Sequence, residues 1–390
     1  MLTERLIQSD FRDLAAVQAE HEATLLALPN VVGVALGHKQ TNGKDVGTRC
    51  LTVLVDMKLD RDMLGRDGFI PATIGSVPTD VREVGVLQAG AGPALASPRA
   101  SEWLDVSTWE RESPGLEELT PPQREQLVAL SRAARGQVGV PSMGATAFQA
   151  ARLRPAIGGL SVGHYRGTAG TLGIGCHDSV WAYDGATTPE WAAPRRFYLL
   201  SNNHVLANCN DATMGDPILQ PAPADGGNPV TDTIGRLARF VPLRFAQDPG
   251  HFPVNFVDAA LAECRYDQVD RRIHWIGDVR RTHPIPEIGS WVHTCGRASG
   301  YTTGTVVATN ATITVNYPGG RLARFAKQII CHGLSSGGDS GAVVTDVDQR
   351  AIGLLFATSP TISALNPITL VEQFLGIRIA EPTSNGTPRQ

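Results

Sequence analysis

The chain has 390 residues, of which 42% are hydrophobic and 18% charged, and a net charge of −4 at pH 7. This length fits about two domains of roughly 150 residues each. The negative net charge and the lack of a polybasic run exclude an electrostatic basis for nucleic-acid binding. No stretch reaches the ~18 apolar residues of a membrane span, so we expect neither nucleic acid nor a membrane as partner.

Abundant glycine (41) and proline (26) favour turn-rich β structure. Residues 1–5 open a charged segment without the apolar core of a signal peptide, and we expect a cytoplasmic protein. Six scattered cysteines are typical of buried small hydrophobic residues in a reducing compartment. A Cys176–Cys209 disulfide is the less favoured alternative. No Cys/His cluster has ligand spacing, so we expect no metal and no cofactor.

The first 87 residues have the pattern of a small α+β domain. Residues 10–28 repeat apolar side chains with a helical period. Residues 31–36 and 51–55 predict strands of a hairpin through Asn42-Gly43. A short helical piece at 61–64 and a strand at 79–84 follow. Because this domain carries no set of reactive groups, we expect it to regulate the chain or to form a homo-oligomer.

The next segment, residues 88–155, has the composition of a linker with one helix, which starts after Thr120 and ends at Gly136. About eleven strand-like stretches between 156 and 380 then predict an all-β double β-barrel. Asn366 before Pro367 predicts the cap of a final helix. Residues 381–390 are expected to form a disordered tail.

The sequence Gly337-Gly338-Asp339-Ser340-Gly341 precedes an apolar strand. A serine hydroxyl becomes a nucleophile when a base takes its proton and backbone N–H groups stabilise the oxyanion. Flanking glycines allow the tight backbone that such a loop needs. A Gly/Ser turn without chemistry is the alternative, unless a histidine and a carboxylate lie at suitable positions upstream.

Two upstream residues meet this condition. His204 follows the apolar run Tyr198-Leu199-Leu200, so its ring can face a cleft at the end of a strand. Asp258 lies within the apolar run Phe256-Val257-Asp258-Ala259-Ala260, predicted as a strand. A buried carboxylate is costly unless it is paired, and a histidine ring is a suitable partner. Each residue alone could instead be structural.

The order His204, Asp258, Ser340, with gaps of 54 and 82 residues, resembles that of chymotrypsin-fold (trypsin-like) serine peptidases. A bacterial trypsin-like subgroup and the narrow-leaf serine peptidases of plants are the more specific resemblance. It covers roughly residues 156–380 and rests on further motifs: Ser201-Asn202-Asn203-His204-Val205-Leu206-Ala207, Gly215-Asp216-Pro217-Ile218-Leu219-Gln220-Pro221, Gly296-Arg297-Ala298-Ser299-Gly300-Tyr301-Thr302-Thr303-Gly304, Gly353-Leu354-Leu355-Phe356-Ala357 and Asn366-Pro367-Ile368.

This resemblance implies a catalytic triad. Ser340 would attack the peptide carbonyl, His204 would transfer the proton and Asp258 would orient His204. The N–H groups of Gly338 and Ser340 would form the oxyanion hole, each worth on the order of 3–4 kcal/mol. Asp339 would stabilise the surrounding loop.

The resemblance also implies a substrate pocket formed by Leu334, Ser335, Phe356 and Ala357. Trypsin-type enzymes carry an acidic residue six positions before the nucleophile, where this chain has Leu334. A small or apolar side chain before the scissile bond is therefore expected, rather than lysine or arginine.

The favoured function is a serine endopeptidase that acts on protein or peptide substrates and is regulated by its N-terminal domain. Two alternatives stay open. One is a catalytically silent scaffold of the same fold that binds protein partners. The other is a self-processing peptidase that cuts its own linker.

Overall fold

The computed structural model describes residues 6–41, 43–60, 63–64, 68–90, 148–178, 196–247 and 252–380. The α-helices that lie wholly within these ranges are α1 (Arg12–Leu26), α2 (Asn203–Leu206) and α3 (Ile368–Leu375). None of the helices in the described ranges is long and apolar enough to cross a membrane. Single 3-10 turns lie at Ser9–Phe11, Asn208–Asn210, Pro223–Asp225, Tyr266–Gln268 and Pro318–Gly320.

Strands form most of the ordered structure. Before residue 100 they are β1 (Val31–Thr41), β2 (Lys44–Val55), β3 (Thr73–Ile74) and β4 (Val77–Glu83). The next group comprises β5 (Ala156–Gly158), β6 (Ser161–His164), β7 (Gly170–Thr171), β8 (Ile174–Asp178), β9 (Phe197–Ser201), β10 (Pro217–Leu219), β11 (Thr233–Phe240), β12 (Val254–Asn255), β13 (Ala260–Cys264), β14 (Val269–Ile273), β15 (Gly277–Asp278) and β16 (Arg281–Thr282). The last group comprises β17 (Trp291–Gly296), β18 (Gly300–Tyr317), β19 (Arg321–His332), β20 (Val343–Asp346), β21 (Arg350–Thr358), β22 (Ile362–Pro367) and β23 (Ile377–Arg378).

The C-terminal strands close into a barrel. Antiparallel pairs join β17 to β18, β18 to β19, β19 to β22, β22 to β21, β21 to β20 and β20 back to β17. A closed ring leaves none of these six strands as a free edge over its paired length. Its interior is a cluster of buried aliphatic side chains, including Val292, Val306, Val344 and Ile352.

A second antiparallel sheet has the order β23-β8-β9-β13-β11-β10-β6-β7. Its inward side chains form another buried cluster with Leu160, Leu199 and Ile218. The two curled sheets, together with the N-terminal helix and strands, confirm the all-β double β-barrel with a small N-terminal α+β part. His204 and Ser340 belong to different barrels, as a cleft between them requires.

The N-terminal part is continuous with the C-terminal sheet. Helix α1 packs on the β1–β2 hairpin around Phe11, Leu14 and Leu36, and β4 pairs in parallel with β2. The other edge of β1 pairs antiparallel with β18, where Gly33 lies opposite Ile313. The division into a 1–87 domain, an 88–155 linker and a 156–380 peptidase domain stays a prediction.

The structure differs from several of the predicted helices and strands. The predicted strands 303–308 and 311–315 are one strand, β18, which continues through Asn310 at φ +51°. Asn366 does not cap the final helix, because it lies in β22 and the helix begins at Ile368. The predicted linker helix at 120–136, part of the 61–64 piece and the 381–390 tail lie outside the described residues.

All six cysteines are free, so the alternative Cys176–Cys209 disulfide is wrong. Five are buried and Cys264 is partly exposed. Burial raises the pKa of Cys50 to about 11 and of Cys209, Cys264 and Cys295 to about 12. These thiols therefore stay protonated at neutral pH and act as small apolar side chains.

Gln18 joins the N-terminal helix to the sheet. Its side chain is 1% exposed, and its Nε2 donates to the carbonyl oxygens of Val34 (3.3 Å) and Asn310 (2.9 Å). Asn310 returns a hydrogen bond from Nδ2 to Gln18 Oε1 at 2.9 Å. This polar contact therefore lies where α1, β1 and β18 meet.

We predict that Gln18→Ala lowers the free energy of unfolding by about 1–3 kcal/mol, because Asn310 would keep a buried donor without an acceptor. Urea unfolding measures the difference. Glu20→Ala is the matched control on the exposed face of the same helix, with an expected change within about 0.5 kcal/mol. Equal stability of Gln18→Ala and the parent would show that this contact contributes nothing.

Candidate active site

The loop that carries Ser340 connects β19 to β20 and is held by Asp339. The Asp339 carboxylate is 1% exposed. It accepts N–H bonds from Ser336 (2.9 Å), Ala298 (2.8 Å) and Ser299 (3.0 Å). One buried side chain thus folds the loop on itself and ties it to the turn after β17.

The backbone conformation of the Ser340 loop requires glycine at positions 338 and 341. Gly341 has φ +99°, and a Cβ there would lie 2.1 Å from Ser201 Oγ and 2.3 Å from Thr171 O. Gly338 has φ +106°, and its Cβ would lie 3.0 Å from Arg297 Nη1. A side chain at either position would combine backbone strain with a close contact.

The proposed oxyanion donors, Gly338 and Ser340, have backbone N–H groups that donate to no other residue in the described ranges. Neighbouring amides in the same loop are paired, since Asp339 donates to Ser336 O and Gly341 to Leu355 O. Buried backbone donors are normally satisfied. Two donors of one loop without acceptors among the described residues therefore suit a ligand oxygen.

His204 lies in the short helix α2, which follows the end of β9. Its ring Nδ1 lies 2.6 Å from Asp258 Oδ2, and its backbone N–H donates to Asp258 Oδ1 at 3.2 Å. The side chains of His204 and Asp258 are 4% and 0% exposed. This pairing leaves Nε2 as the ring atom available for chemistry, and Nε2 has no hydrogen-bond partner among the described residues.

Asp258 is not inside a strand as the sequence predicts; it lies between β12 and β13. Two asparagine side chains fix this irregular backbone. Asn202 Nδ2 donates to Asp258 O at 2.7 Å, and Asp258 N–H donates to Asn366 Oδ1 at 2.9 Å. Asn366 in turn donates to Gln328 Oε1 at 2.7 Å. The carboxylate is therefore held through its main chain as well as through His204.

Tyr317 is a further residue of this site, and the sequence analysis did not identify it. Its hydroxyl donates to Asp258 Oδ2 at 2.7 Å, and its ring packs edge-on against His204 with 5.9 Å between centroids. Burial, followed by the nearby charge of Asp258, raises the pKa of Tyr317 well above its ordinary value. Tyr317 therefore remains a hydrogen-bond donor to the carboxylate.

Thr171 connects the Ser340 loop to the segment that carries His204. It donates through Oγ1 to Gly338 O (3.1 Å) and through its N–H to Ser340 O (2.8 Å). Ser201, three residues before His204, donates to Thr171 O at 2.7 Å. A Cβ on Gly170 would lie 2.4 Å from Val205 Cγ2 and 2.9 Å from Ser340 O. The Ser340 loop and the segment around His204 therefore both pack on Gly170 and Thr171.

The four residues expected to line the substrate pocket differ in their surroundings. Leu334 is 1% exposed and belongs to the interior of the closed barrel. Phe356 and Ala357 lie in another buried cluster, in which Phe356 packs against Phe325 with 4.7 Å between centroids. Ser335 is partly exposed, and its Oγ lies 2.7 Å from Ser363 Oγ. The pocket assignment stays a prediction.

Within the described ranges, no group of three or more His, Cys, Asp or Glu side chains could hold a metal ion. The acid–base groups that hydrogen-bond to one another in those ranges are His204, Asp258 and the neutral Tyr317. Ser340 Oγ is not hydrogen-bonded to His204, because His204 Nε2 has no partner among the described residues. His204 and Asp258 form a pair suited to accept and return one proton.

No protein-family model matches the chain, and no curated protein matches it. Solved structures that it resembles are bacterial serine proteases. They include Thermobifida fusca protease A (15% identity, TM-score 0.38, 58% of this chain and 98% of that chain) and Nocardiopsis protease NAPase (18%, 0.38, 58% and 98%). A third is Cellulomonas bogoriensis chymotrypsin (17%, 0.36, 57% and 97%). With TM-scores this low, the fold assignment rests on this chain's own sheets.

We predict that Tyr317→Phe lowers the free energy of unfolding at pH 7 by about 1.5–3 kcal/mol, because a hydrogen bond to a buried charge is lost. In the parent, the raised pKa keeps Tyr317 protonated when folded, whereas the unfolded chain loses this proton above pH ~10. The parent's stability therefore falls above that pH, and the difference between parent and variant narrows.

Urea unfolding at pH 7 and at pH 10–11 measures both effects. Tyr266→Phe, at a residue that is 72% exposed, is the control and should match the parent. A Tyr317→Phe variant as stable as the parent at pH 7 would contradict the role of the hydroxyl.

Proposed function

We propose that the chain is a serine endopeptidase that hydrolyses peptide bonds in protein substrates. The observation that carries the proposal is the buried His204–Asp258 pair, with Nδ1 at 2.6 Å from the carboxylate and Nε2 left without a protein partner. A carboxylate at Nδ1 fixes the tautomer in which Nε2 can accept a proton. The glycine-bounded loop of Ser340 supplies the hydroxyl.

The proposed reaction proceeds through an acyl-enzyme. Ser340 Oγ attacks the carbonyl carbon while its proton moves to His204 Nε2. The protonated ring then gives this proton to the leaving amine. Asp258 stabilises the imidazolium, and the Tyr317 hydroxyl and the His204 backbone N–H hold the carboxylate in position. Water attacks the ester in the second half, with His204 again as the base.

The unpaired amides of Gly338 and Ser340 are the proposed oxyanion donors. Each hydrogen bond that strengthens in the transition state is worth on the order of 3–4 kcal/mol. Asp339 acts at a distance from the reacting atoms by holding the loop backbone. The same loop contains Leu334 in place of an acid, which supports a preference for small or apolar side chains before the scissile bond.

A serine-directed fluorophosphonate probe tests the proposal. We predict labelling of the wild type at Ser340, no labelling of Ser340→Ala, and at least about 100-fold slower labelling of His204→Ala, because a general base contributes about 10²–10⁴ in rate. Ser290→Ala is the control, since Ser290 is partly exposed and its hydroxyl donates only to Glu287 O among the described residues. A folded wild type that stays unlabelled would favour the silent scaffold.

Cytoplasmic location, regulation by the N-terminal part and assembly into a homo-oligomer are also proposed. Within the described ranges β3 lies at the edge of the N-terminal sheet and pairs with only Val77 and Pro78 of β4, so the rest of this side of β4 offers an edge for assembly. Light scattering at about 10 µM chain should give a mass above 41.5 kDa. A mass equal to one chain would remove assembly from the proposal.

A further inference from the structure

A short segment after β4 passes between two strands of the catalytic part. Gln88 N–H donates to Thr358 O, and Thr358 N–H donates to Gln88 O, both at 2.9 Å. On the other side, Asn316 N–H donates to Leu87 O (2.9 Å) and Ala89 N–H donates to Asn316 O (3.0 Å). Four backbone hydrogen bonds therefore hold three residues in an extended conformation.

The direction of this segment leads to the active site. It runs antiparallel to β21 at Thr358, and β21 contacts the nucleophile loop through the Gly341 N–H bond to Leu355 O (2.8 Å). Leu355 and Thr358 are about 10 Å apart along an extended strand. An antiparallel segment that starts at Thr358 therefore runs back towards Ser340.

The end of the segment lies beside the catalytic histidine. A Cβ on Gly90 would lie 4.0 Å from His204 Cδ2 and 3.6 Å from Pro318 Cγ. Ala89 is 4% exposed and packs in the cluster that includes Tyr317 and Phe356. Gly90, which has no side chain, thus lies next to the His204 ring, and Ala89 packs beside Tyr317's cluster.

A peptide that binds by strand addition needs exposed N–H and C=O groups on the receiving strand. At Thr358 both groups are bonded to Gln88. A substrate can pair there only after this segment leaves. The side chains of Leu87 and Ala89 are 0% and 4% exposed. Their apolar contacts keep the segment bound in this position.

We propose that the gap between Asn316 and Thr358 is the peptide-binding groove of the catalytic part, and that the chain's own Leu87, Gln88, Ala89 and Gly90 occupy it as a bound peptide would. The inference rests on the proposed peptidase function. The ligand class is an extended peptide whose last two residues before His204 are small. The tethered segment competes with every substrate for Thr358.

The variant Gln88→Pro tests the proposal because proline lacks the N–H that bonds Thr358 O. Gln88→Ala is the matched control, since it keeps this N–H and changes only a partly exposed side chain. The probe is a fluorescein-labelled Leu-Gln-Ala-Gly amide, whose binding is followed by anisotropy. A tethered segment acts at an effective concentration of about 1 mM. For a groove with an intrinsic Kd of about 10 µM, competition from the tethered segment weakens binding of the free peptide about 100-fold.

We expect the peptide to bind Gln88→Pro about 100-fold more tightly than the wild type or Gln88→Ala. Hydrolysis of a peptide anilide ending in Ala-Gly should rise at least tenfold in Gln88→Pro alone. Fluorophosphonate labelling of Gln88→Ala should stay within about twofold of the wild type, and Gln88→Pro should label at least as fast, because only that variant removes Gly90 from beside the His204 ring. Equal peptide binding and hydrolysis by folded Gln88→Pro and wild type would overturn the proposal.

The outcomes separate this inference from the proposed function. If no variant reacts with the fluorophosphonate but Gln88→Pro binds the peptide, the groove assignment holds and the peptidase assignment fails. If Gln88→Pro does not fold, Ala89→Leu serves instead, because a larger side chain cannot fit the buried position and should release the segment. Unchanged peptide binding by folded Ala89→Leu would equally overturn the proposal.

Discussion

The arrangement of the candidate active site depends on one buried carboxylate. Asp258 is fully enclosed, and burying a charge is costly unless hydrogen bonds replace its water. Three donors meet its oxygens: the His204 ring, the His204 backbone N–H and the Tyr317 hydroxyl. Each donor belongs to a segment that must therefore be in place when the carboxylate is buried. This requirement fixes α2, which carries His204, and the end of β18, which carries Tyr317, relative to Asp258.

Local motifs were sufficient to identify His204, Asp258 and Ser340 as candidates, because each lies beside a short apolar run with its own distinctive residues. The sequence signals for the N-terminal helix and hairpin also come from neighbouring residues, and these predictions agree closely with the structure. Tyr317 was missed because its contact depends on the register of β18 with β19, which no nearby residue specifies. Its position before Pro318-Gly319-Gly320 indicates only the end of a strand.

Two errors have a common physical cause. Asn366 before a proline has the local pattern of a helix cap, but tertiary contacts with Asp258 and Gln328 hold it at the end of β22. Asn310 interrupts an apolar run and suggests a break between two strands. Here the contact with Gln18 stabilises its positive φ, so β18 continues. In both cases a distant side chain overrides the local preference of an asparagine.

The pairing of β1 with β18 has a consequence for how this chain could lose or exchange its N-terminal part. Removing β1 would expose the backbone of β18 from Ala308 to Ile313, a stretch rich in small and β-branched residues. An unprotected strand of this kind invites pairing with other chains. The N-terminal strands therefore protect the chain from aggregation by covering this edge of β18.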